Sequence, residues 1–76
     1  MAFGPFKVKA GFGETTVVGT AGAMAFLRSL GPEYRHTFHW KVAERMLDVA
    51  WTNAEAESLA AQAFKIALEK DNWLIG

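Results

Sequence analysis

Residues 31–51, GPEYRHTFHWKVAERMLDVAW, decide how this chain is organised. Read as one helix over residues 32–51, the stretch gathers Thr37, Lys41, Glu44, Arg45 and Asp48 on a narrow polar face. Phe38, Trp40, Val42, Ala43, Met46, Leu47, Val49, Ala50 and Trp51 fill the rest. At about 3.6 residues per turn, that apolar arc covers more than half the circumference. A surface helix needs a stripe only about 100° wide. Such a helix requires more than one covering partner. The pattern assigns Phe38, Val42 and Val49 to the core, with Lys41, Glu44 and Asp48 facing solvent. Trp40, Leu47 and Trp51, at i, i+7 and i+11, form a displaced edge.

The flanks of this stretch set its limits. Gly31 stops a preceding helix over residues 20–30, whose apolar positions are Ala23, Phe26, Leu27 and Leu30, with Thr20 or Gly19 as N-cap. Pro32 suits the first helical position, where its missing N–H costs nothing. Thr52-Asn53-Ala54-Glu55 reads as a capping box opening a third helix over 53–70. Its apolar face carries Ala56, Leu59, Ala60, Ala63, Phe64, Ile66 and Ala67. Asp71-Asn72 ends it, and Trp73-Leu74-Ile75 is expected to form a short third strand.

Towards the N-terminus, residues 1–5 read as a loose leader. Phe6-Lys7-Val8-Lys9-Ala10 alternates strictly, the period of a strand with Phe6, Val8 and Ala10 on its buried face. Gly11-Phe12-Gly13-Glu14 has turn chemistry, and β-branched Thr15-Thr16-Val17-Val18 returns, making a hairpin over residues 6–18. The glycines do not form a phosphate loop, because the turn leads into a strand and not onto helix amides. The expected architecture is a single α+β domain over residues 1–76, ordered β-β-α-α-α-β. A small antiparallel sheet, made of the hairpin and the C-terminal strand, packs on three helices.

Seventy-six residues suffice for one domain, and at this size only about 60% of the unfolded chain's surface is buried. A composition 51% hydrophobic and 13% aromatic offsets that shortage. Cysteine is absent, which excludes disulfides, thiolate metal sites and cysteine nucleophiles. Eight Lys and Arg balance eight Asp and Glu, so the chain lacks the basic excess that draws a protein to nucleic acid or anionic lipid. No signal peptide, membrane span or lipidation motif is legible, and a cytoplasmic protein without membrane contact is the expectation.

This succession of elements resembles the small bacterial domain of unknown function family 982. The residues carrying the resemblance are Phe6-Lys7-Val8, Val17, Ala23 with Phe26-Leu27, His39 followed by Val42 and Met46, Ala63-Phe64, and Trp73-Leu74-Ile75. At Val42 and Met46 the match is one of position only, since the family tends to carry Ala and Cys there. At Gly22 the chain departs from an acidic capping residue. The resemblance implies the fold and a bacterial source, and transfers no activity or catalytic residue.

Three constellations bear on function. His36 and His39, three apart on a helix, are placed to share a divalent metal, but no further histidine or cysteine exists to complete a zinc site. The bland reading has one histidine hydrogen-bonded and the other solvated. Arg35 and Lys41, with Lys7 and Lys9 on the hairpin, suggest a nucleic-acid surface. Phe38 and Trp40 lie roughly 200° apart, however, and so do not make one stacking platform. Ser29 and Ser58 lie at the end of a helix and inside one, not in a nucleophile turn. Glu55 and Glu57 read as first-turn charges that suit the helix dipole.

No cofactor is expected. The reading favoured by the sequence is a non-enzymatic homodimeric interaction module joined through Trp40, Leu47 and Trp51. The alternatives are a nucleic-acid accessory domain and a metal- or ligand-responsive domain using His36 and His39.

Overall fold

The computed structural model describes residues 5–10 and 13–75, the side chain of Ala10 excepted. Strands β1 (Phe6–Ala10) and β2 (Gly13–Val17) pair antiparallel, with Phe6 opposite Val17, Val8 opposite Thr15 and Ala10 opposite Gly13. The alternation in β1 does what its period implies: Val8 is fully buried and Phe6 half-buried, while Lys7 and Lys9 face solvent. The expected leader and the tip of the hairpin fall largely outside the described residues. Gly19 then takes a φ of +75°, a left-handed conformation open to glycine, and turns the chain from the sheet into a helix.

Four helices follow: α1 (Gly19–Arg28), α2 (Pro32–Arg35), α3 (Phe38–Thr52) and α4 (Glu57–Lys70), the last entered through a 3-10 turn at Ala54–Ala56. The N-cap of α1 is Val18, and no side chain caps it, so neither Thr20 nor Gly19 has the expected capping role. Ser29 Oγ donates to the Phe26 carbonyl at 2.6 Å and helps close its C-terminal end.

The expected single helix over 32–51 is broken. Arg35 is the last residue of a one-turn α2, His36 is its C-cap, and Thr37 is extended, with φ −72° and ψ 151°. Thr37 Oγ1 donates to the Tyr34 carbonyl at 2.6 Å, which satisfies an acceptor at the end of α2. In an unbroken helix Tyr34 would lie on the polar side with Lys41 and Arg45. The break instead brings its ring edge-on to Trp73, with centroids 4.9 Å apart.

Between α3 and α4 the cap is Asn53, whose Oδ1 accepts from Glu55 N at 3.0 Å. Thr52 is still helical, and its hydroxyl turns back to the Val49 carbonyl, so the expected threonine capping box does not form. The other end of α4 closes as anticipated. Asn72 adopts a left-handed φ of 59°, the Trp73 amide donates to Leu68 O at 2.9 Å, and the Asn72 amide donates to Glu69 O. This is the Schellman arrangement.

The expected strand at residues 73–75 is reduced to a single antiparallel bridge, Val8 to Leu74. Lys9 N donates to Trp73 O at 2.8 Å and Ile75 N to Lys7 O at 2.9 Å. The Trp73 amide is committed to the helix end and its ring to the core, so strand geometry begins only at Leu74. Among the described residues the fold is therefore a small α+β structure in which a two-stranded hairpin accompanies four helices.

The core is an aromatic cluster around Trp40, which is fully buried. Its ring lies 5.7 Å from Phe64, 5.8 Å from Trp73 and 6.1 Å from Phe26. Phe26 meets Phe64 edge-on at 84°, a geometry that ring quadrupoles favour. Ala43, Ala60 and Ala67 are fully buried as well, and as small residues they let the helices approach closely.

Candidate interaction face on the helical hairpin

Which side of α3 is buried is the reverse of the sequence expectation. Trp40, Ala43, Leu47 and Ala50 point inward, and Trp40 and Leu47 have no exposed surface. Phe38, Val42 and Val49, expected in the core, are 82%, 38% and 44% exposed. The arc was too uniformly apolar for periodicity to choose its centre. A buried indole needs an acceptor, and α3 is turned so that Trp40 reaches one: its Nε1 donates to Asp71 Oδ2 at 2.6 Å. Of the three expected interface residues, only Trp51 remains on the surface.

Asp71 at the end of α4 thus meets the first turn of α3, so the two helices run antiparallel as a hairpin. Along the outer side of this hairpin runs an open groove of about 460 Å³. Phe38, Val42 and Met46 of α3 form one wall, and Leu59, Ala63 and Ile66 of α4 the other. Leu59 and Ile66, expected on the one apolar face of the third helix, are 57% and 51% exposed. His39 and Lys70 stand at one end of the groove. The pattern is a second apolar stripe on each helix, facing away from the aromatic core. Its spacing is i, i+4 and i+8 on α3 with i, i+4 and i+7 on α4, and in sequence it is continuous with the core stripe.

The histidines have separate settings. His39 Nε2 lies 3.2 Å from Asp71 Oδ2 and 3.5 Å from Thr37 Oγ1. Asp71 therefore joins His39 and Trp40, a role that no sequence signal marks beyond the need of a buried indole for an acceptor. His36 is exposed, beside a shallow depression lined by Pro32, Arg35, Lys41 and Glu44. Among the described residues no three histidine, aspartate or glutamate side chains are grouped to hold a metal.

The basic residues are likewise divided. Arg35 Nη2 pairs with Glu44 Oε2 at 3.2 Å, in a half-exposed setting where such a pair contributes little to stability. Lys41 shares that depression. Lys7 and Lys9 lie on the hairpin's solvent face, where Lys9 sits across from Glu14. Ser29 is tied to the Phe26 carbonyl, and Ser58 is exposed on α4.

No family model, no curated protein and no solved structure matches this chain. Among the described residues, no helix is long and apolar enough to cross a membrane.

Proposed function

We propose that this protein is a non-enzymatic interaction module that works as a homodimer, with the α3–α4 groove of one copy closing on that of another. The observation that carries this reading is Phe38, a phenylalanine 82% exposed at the mouth of an apolar groove continued by Val42, Met46, Leu59 and Ile66. Contiguous apolar surface of this kind on a small protein marks a contact site. Burying one such side chain contributes about 1.5–3 kcal/mol. Two antiparallel helix pairs laid face to face make a four-helix arrangement, and a two-fold axis satisfies both grooves at once. The expected edge of Trp40, Leu47 and Trp51 is thereby replaced by Phe38, Val42, Leu59 and Ile66, with Trp51 outside the groove. Membership of domain of unknown function family 982 and a cytoplasmic setting belong to the same proposal, and neither adds an activity.

Light scattering tests it. The wild-type chain is expected to be dimeric at about 10 μM, a range in which standard interfaces hold. Phe38→Asp combined with Ile66→Asp is expected to give a folded monomer. A wild-type chain still monomeric at roughly 500 μM would sink the proposal.

A further inference from the structure

The hairpin carries a second surface, independent of the helical groove, and its chemistry lies in the backbone. Lys9 N and Lys7 O are bonded to the segment around Leu74, so in β1 the amides and carbonyls of Lys7 and Lys9 point away from β2. Those of Phe6, Val8 and Ala10 therefore point towards it. With Val8 opposite Thr15, the hydrogen-bonded residues of β2 are Gly13, Thr15 and Val17. Glu14 and Thr16 direct their N–H and C=O groups outward, and among the described residues nothing bonds them.

This open edge borders a groove of about 380 Å³ whose far wall is α1. Gly22, Ala25 and Ser29, at i, i+3 and i+7, line that wall, and Val17 and Phe26 form its apolar floor. The cleft thus has a strand edge on one side and a helix with small side chains on the other. Strand, proline-free edge and cleft together match the way an extended peptide is captured by strand addition. The edge is five residues long, about 16 Å at the strand repeat.

We propose that this cleft binds an extended segment of a partner protein as a third strand on β2. The register states the segment's chemistry. The residue opposite Glu14 lies on the solvent face beside an exposed carboxylate, and a Lys or Arg there is complementary. The residue opposite Thr15 points to the helix side, where an apolar side chain covers Val17 and Phe26. A second copy of β2 would bring its own Gly13, Thr15 or Val17 to that position. The first two have no apolar side chain to fill the floor and Val17 is already buried in its own core, which favours a partner of different sequence.

The test is amide NMR of the whole chain titrated with a blocked synthetic peptide that alternates valine and threonine and carries one lysine. Binding is expected to saturate below about 1 mM and to shift the amides of Glu14, Thr16, Gly22 and Ala25. Thr16→Pro removes an outward N–H without touching the bonds to β1, and proline is tolerated at such an edge. Gly22→Leu fills the cleft, since a Cβ there meets only Val17 Cγ1, at an ordinary 3.9 Å. Each variant is expected to keep the remaining spectrum and to weaken binding by about tenfold or more, the change that one lost anchoring contact produces. Three results would overturn the proposal. These are no saturable shift, shifts confined to α3 and α4, and concentration-dependent changes at Glu14 and Thr16 without peptide, which would assign the edge to a second copy.

Discussion

Trp40 and Asp71 hold the start of α3 to the end of α4 through one hydrogen bond of 2.6 Å from the indole N–H to the carboxylate. The carboxylate gives the innermost aromatic ring of the core its polar partner. Removing the acceptor by Asp71→Ala leaves the indole N–H unsatisfied and is expected to cost about 1–3 kcal/mol. For a domain of this size that is a fall in Tm of roughly 4–8 °C per kcal/mol. Asp71→Asn keeps an acceptor and should recover part of the loss. Thermal melts followed by tryptophan fluorescence check both.

Phe38 and Phe64 separate surface from core. Phe64 has no exposed surface and touches Phe26 and Trp40, so Phe64→Ala is expected to destabilise by about 3–5 kcal/mol. Phe38→Ala should leave the monomer's stability within about 0.5 kcal/mol, the usual range for surface changes. Any larger effect of Phe38 should depend on protein concentration, because dimer stability does. Urea denaturation at two concentrations distinguishes the contributions.

The start of α4 depends on Asn53 and not on Thr52. Asn53→Ala removes the acceptor for the Glu55 amide and is expected to cost about 1 kcal/mol. Thr52→Ala removes only a long contact to Val49 and should change stability by a few tenths of a kcal/mol. Equal effects of the two substitutions in chemical denaturation would contradict this assignment.

Asn72 holds a left-handed conformation at the end of α4. Asn72→Gly is expected to be neutral or slightly stabilising, whereas Asn72→Val should cost about 1–2 kcal/mol, because a β-branched residue resists that conformation. Denaturation midpoints of the pair provide the comparison.

These four sites also show what sequence patterns can carry. Period two in Phe6-Lys7-Val8-Lys9-Ala10 and the Asp71-Asn72 stop were legible because local geometry determines them. The break at His36 and Thr37 was not, because it follows from where Tyr34 must go to meet Trp73, a contact between segments distant in sequence. The orientation of α3 was misread for a related reason. Periodicity locates an apolar arc, but only tertiary partners select its buried part, and Asp71 is one of them. The same ambiguity hides the groove of Phe38, Val42, Leu59 and Ile66, because its stripes adjoin the core stripes on both helices.

The bridge from Val8 to Leu74 has a consequence for the order of folding. The β1–β2 hairpin closes a short loop and can form early, whereas Leu74 reaches Val8 only after all four helices have been laid down between them. The loop-closure entropy grows only slowly with separation, so the bridge is feasible, but it must come late. Until then one edge of β1 stays open, and the aromatic core lacks Trp73 as its closing side. The last turn of the chain thus acts as a latch, and sheet and core are expected to close, and to open, in one step.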